Sequence, residues 1–79
     1  MLKLVRATVY GEFSDYRGYR VAEIEAEPLS REFIRRLRDS EFFFDGTARL
    51  QFTDGTVKYV PIQETDVALL NNLLEVLEA

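Results

Sequence analysis

Side chains able to carry acid–base or nucleophilic chemistry are sparse in this chain. There is no histidine and no cysteine, so such work would fall to Asp, Glu, Lys, Tyr, Ser or Thr. Ser14, Ser30 and Ser40 stand at turn or helix-boundary positions, where a hydroxyl ordinarily serves the backbone. Neither the G-x-S-x-G nucleophile elbow, nor a phosphate-cradling loop, nor a dinucleotide fingerprint occurs. Metal ligation is no better supplied. Glu23, Glu25 and Glu27 recur at every second position of a strand, which spaces them ~7 Å apart, too far for all three to share one ion. Asp45-Gly46 and Asp54-Gly55 are turn signatures without a calcium loop around them. The chain is expected to be no enzyme, with no metal and no cofactor.

Groups suited to recognition are better represented. Arg31, Arg35 and Arg38 repeat at i, i+4, i+7. On a helix that spacing makes a one-sided row suited to phosphates or to an acidic protein surface. The ordinary alternative is a solvated face with Glu32, Asp39 and Glu41 as counter-ions. Phe13, Tyr16, Arg17 and Tyr19, with Tyr10 close by, gather in and just after the stretch GEFSDYRG, read as a long hairpin loop from Gly11 to Gly18. Tyrosine and arginine often anchor protein interfaces. The alternative is that the loop folds back and caps the core. Of the consecutive Phe42, Phe43 and Phe44, two are expected in the core and one at an edge.

These groups need a scaffold, and the apolar share of 47% in 79 residues supplies one small core. No apolar run approaches the ~20 residues of a membrane span, and no signal-peptide pattern opens the chain, so a cytoplasmic protein is expected. Net charge is −4, which argues against a general affinity for nucleic acid. The charge is uneven: residues 29–40 carry four arginines against Glu32 and Asp39, whereas residues 63–79 carry four acids and no base.

Two stretches, 2–40 and 46–79, each read as strand, turn, strand, helix, and a duplicated ββα unit is one way to account for them. In the first, Val5, Ala7 and Val9 share a face with Ala22, Ile24 and Ala26 if Val9 lies opposite Arg20 and Ala7 opposite Ala22. Arg6 then pairs with Glu23. Ser30 is a good N-cap for a helix to about Asp39, whose apolar stripe is Phe33, Ile34 and Leu37. Glu41–Phe44 reads equally as a last helical turn or a short strand. In the second half Asp54-Gly55 predicts a two-residue type I′ turn. That turn pairs Phe52 with Val57 and Leu50 with Tyr59, puts Val57 and Tyr59 in the core, and turns Lys58 and Val60 outward. Pro61 is expected to end the pairing. A last helix is expected from about Thr65, with an apolar arc of ~180°, wider than packing on one sheet requires.

One domain over 1–79 follows, of the α+β class: ββαββα, a mainly antiparallel four-stranded sheet with two helices on one face. The leading functional expectation is a small acidic regulator or inhibitor that binds another protein, of the stand-alone bacterial or phage type, an analogy from size and charge. Its partner-binding residues would be Phe13, Tyr16, Arg17, Tyr19, Arg31, Arg35 and Arg38. Two alternatives stand beside it. One is a nucleic-acid-associated protein using the arginine helix with Tyr16 and Tyr19 as stacking groups. The other is a homodimer or other self-associating subunit joined through Leu69, Leu73 and Val76.

Overall fold

A computed structural model describes residues 2–79. The chain runs β1 (Leu4–Ser14), β2 (Arg20–Pro28), α1 (Arg31–Asp39), β3 (Phe43–Phe52), β4 (Val57–Gln63), α2 (Val67–Glu78). All strand pairs are antiparallel in one sheet ordered β2-β1-β3-β4, so the two hairpins join through their first strands. This is the expected α+β architecture. The two longest strands lie in the middle, and the molecule is drawn out to 45 Å along its long axis.

Alternation assigns the faces. Ala7, Val9, Phe13, Phe44, Ala48 and Leu50 point toward the helices and are buried. The helices complete that core with Phe33, Ile34 and Leu37 from α1 and Leu70 and Leu74 from α2. The opposite sheet face is left open, as antiparallel sheets permit. α1 forms as its sequence predicts: the Ser30 hydroxyl accepts from the Phe33 amide at 3.1 Å, a cap worth about 1 kcal/mol. α2 starts two residues later than expected. Asp66 makes no cap bond, and its carboxylate accepts from the Gln63 amide at 2.7 Å instead.

Both hairpin registers depart from the expectation. In the first, Phe13 pairs with Ala22 and Gly11 with Ile24, so β1 continues through Gly11 and the loop shrinks to Asp15–Tyr19. Arg6 lies beyond β2, and Glu23 stands opposite Glu12, within reach of Arg20 at 3.3 Å. Val5 sits at a register shift between Leu4 and Arg6 and is exposed. A second shift leaves Glu25 and Ala26 together opposite Tyr10. That shift turns Glu27 to the helix side, where Arg36 pairs with it, so the three glutamates do not share one face.

In the second hairpin Gln51 pairs with Val57, Leu50 with Lys58 and Arg49 with Tyr59. Within this turn only Gly55 takes a positive φ, of 85°, and its amide bonds to the Phe52 carbonyl. This is a type I turn closed by a left-handed glycine, one residue longer than a type I′ turn. One added residue moves every β4 side chain to the other face. Tyr59 is therefore 61% exposed, while Val60 packs on the core and Ile62 is buried. Pro61 does not end the strand. It pairs with Thr47 on the free edge of β4, where no amide is needed.

Phe43 opens β3, which settles Glu41–Phe44 as a bend leading into a strand. Of the three phenylalanines only Phe44 is buried; Phe42 and Phe43 are exposed. No helix is long and apolar enough to cross a membrane among the described residues.

Candidate functional site

The hairpin tip is a constrained turn. The Asp15 carboxylate accepts from the amides of Arg17 at 2.8 Å and Tyr19 at 3.0 Å. The Asp15 amide donates to the Tyr19 carbonyl, and the Gly18 amide to the Asp15 carbonyl, both at 2.9 Å. An aspartate that mimics a backbone turn in this way fixes the loop without help from the core. The side chains it holds point outward, with Tyr16 80% and Tyr19 66% exposed. The Arg17 guanidinium lies 5.5 Å from the Tyr16 ring centre, and its Nε donates to the Tyr16 hydroxyl at 3.2 Å.

Phe13 does not belong to this group. It is 7% exposed and packs at 5.0 Å on Phe44, which meets Phe33 edge-on at 5.8 Å. The expectation of Phe13 as a partner-binding residue is thus corrected: β1 extends to Ser14 and its alternation carries Phe13 inward. Phe43 takes its place at the surface. It pairs with Ser14 on the side of β1 away from β2 and is 55% exposed. Val21, left over where the β1–β2 register shifts beside Ser14, is exposed as well. Phe42, exposed, precedes β3 at the same end, its amide held by the Ser40 hydroxyl at 3.0 Å. Tyr16, Tyr19, Val21, Phe42 and Phe43 therefore gather at one end of the long axis. Carrying the β3 alternation back from Ala48 would have found Phe43, because Phe44 and Phe43 must then face opposite ways.

The arginine row lies elsewhere. Arg31, Arg35 and Arg38, with Asn71 of α2, line a recess of about 200 Å³ along the seam between the helices. Arg31 reaches Glu78 of α2 at 2.7 Å, and Arg38 reaches Asp39 at 3.0 Å. Asp39 is held below its ordinary range, chiefly by the Arg38 hydrogen bond, with Arg35 adding to it. Arg36, outside the row, lies 5.6 Å from the Phe33 ring centre and pairs with Glu27. No hydrogen bond, ion pair or ring contact joins the row to the Tyr16–Tyr19 tip among the described residues.

On α2, Leu73 is half-buried while Leu69 and Val76 remain exposed. Leu73 and Val76 form one wall of an apolar groove of about 810 Å³ whose other wall includes Leu2, Leu4 and Phe52. The groove sits at the opposite end of the molecule from the tip, beside the first residues of β1. Among the described residues no three carboxylates stand close enough to hold a metal ion. No family model, no curated protein and no solved structure matches this chain at a significant level.

Proposed function

We propose that the protein is a non-enzymatic binding module, a small regulator or inhibitor that docks on another protein through its Tyr16–Phe43 end. One observation carries the reading: tyrosines largely in solvent are displayed on a turn fixed by four hydrogen bonds. Ordering a flexible loop on binding costs affinity, and a turn already held in place avoids most of that cost. Tyrosine adds large contact area with few rotatable bonds. The flanking Val21, Phe42 and Phe43 supply the apolar surround that hot-spot residues need to exclude water. A cytoplasmic setting belongs to this proposal, since a chain without cysteine requires no oxidising compartment.

The test is partner capture from the native host, with the wild type against Tyr16→Ala, Tyr19→Ala and Phe43→Ser, each checked for fold by circular dichroism. The expected result is a discrete partner captured by the wild type and lost in all three folded variants. A partner retained at wild-type level by every variant would place the interface elsewhere.

A further inference from the structure

Each α1 arginine but one has a carboxylate of its own. Arg31 bonds Glu78, Arg36 bonds Glu27, and Arg38 bonds Asp39. Arg35, in the middle of the Arg31–Arg35–Arg38 row, makes no hydrogen bond or ion pair among the described residues. Asn71 of α2, whose side-chain amide can donate, lines the same recess as Arg35. The row spans about 10 Å along the helix, and Ile34 lines the recess beneath it. Arginines and an amide donor that line one small recess suit a tetrahedral oxyanion, which accepts from several donors at once.

We infer that this seam binds a phosphate group, the Arg35 guanidinium making the principal contact with Asn71 and the outer nitrogens of Arg38 beside it. Arg38 donates to Asp39 through Nε alone, so its terminal nitrogens remain for a ligand. The recess, at about 200 Å³, has room for one such group rather than an extended polyanion, and this agrees with an overall charge of −4. Glu78 on Arg31 and Asp39 on Arg38 already occupy the two ends of the row, and they restrict binding to ligands that engage Arg35 directly. The inference concerns a different face from the tyrosine tip and does not depend on it.

The test is a titration followed by NMR of backbone amides, arginine Nε–H and asparagine side-chain amides, at constant ionic strength. Inorganic phosphate, phosphoserine and adenosine monophosphate are the probes, and sodium chloride is the reference. Saturable shifts at Arg35, Arg38 and Asn71 in the millimolar range or tighter are expected. The probe that binds best tells whether the phosphate is taken free, on an amino acid or on a nucleotide. Arg35→Gln should weaken binding at least about tenfold, the loss of one charge-assisted contact. Arg49→Gln, the same charge change on the open sheet face, should not. Shifts that sodium chloride reproduces, or affinity equal in the Arg35→Gln and Arg49→Gln proteins, would overturn the assignment.

Discussion

Gly11 and Gly46 stand opposite each other in the β1–β3 ladder, and the ring of Phe44 fills the space that both leave on the core side. A Cβ on Gly46 would lie 2.6 Å from the Phe44 ring and closer still to the Tyr10 carbonyl; one on Gly11 would lie 2.5 Å from the Asp45 carbonyl. Backbone atoms in mid-sheet cannot move aside cheaply. Gly46→Ala is therefore expected to cost about 1–3 kcal/mol or more by urea denaturation. Gly55→Ala meets open space and should cost only ~1–2 kcal/mol, the penalty for a left-handed conformation. A loss at Gly46 smaller than that at Gly55 would show that the Tyr10 backbone and the Phe44 ring give way to the added methyl.

Asp15 permits a test of preorganisation that leaves every aromatic side chain in place. Asp15→Ala removes the acceptor for the Arg17 and Tyr19 amides. Those amides are exposed and can turn to water, so stability should fall by only about 0.5–1.5 kcal/mol. Backbone relaxation at residues 15–19 should show faster, larger motion, and partner affinity should drop with the contact surface unchanged. Unaltered relaxation would show that the turn holds its shape without Asp15.

How far the sequence is legible varies by element, and the reason is physical. α1 can be read completely because Ser30, the Phe33–Ile34–Leu37 stripe and the Arg row are all local signals. The hairpin registers cannot. Gly11 looks like the start of a loop, and only its partner Gly46 and the Phe44 ring, distant in sequence, make it a mid-strand residue. Asp54-Gly55 marks its turn correctly, but type I′ and the observed turn differ by one residue, and that residue decides whether Tyr59 or Val60 reaches the core. The tip was half legible: Tyr16, Arg17 and Tyr19 lie where the composition put them. Phe13 and Phe43 exchanged places because strand lengths set which side they face.

Acid should destabilise the protein partly through Asp54. Its carboxyl is held below the ordinary 3.8, first by the Thr56 side chain and then by the Thr56 amide, which donates to it at 2.8 Å. A depressed folded pKa means the unfolded chain takes up the proton first, so this contribution is complete above the ordinary value and is lost as pH falls through the lower, folded one. Stability measured between pH 6 and pH 2.5 should thus decline most steeply at and below about pH 4. Asp54→Asn should flatten that decline. An unchanged slope in the variant would assign the acid sensitivity to other carboxylates.

The last helix separates core from spare surface within adjacent residues. Leu70 is fully buried, whereas Leu69 and Val76 are exposed on a different side of α2. Leu70→Ala should therefore cost about 2–5 kcal/mol by cavity formation, while Leu69→Glu and Val76→Glu should leave the fold within about 1 kcal/mol of the wild type. Self-association through this stripe would bring together two copies of a segment that carries four acids and no base over residues 63–79, and that repulsion is screened only at high salt. Light scattering over a dilution series at low and at high ionic strength reads the balance. A monomer at low salt is expected. A dimer that Val76→Glu dissolves while the fold survives would show that the apolar groove beside Leu73 and Phe52 outweighs the charge.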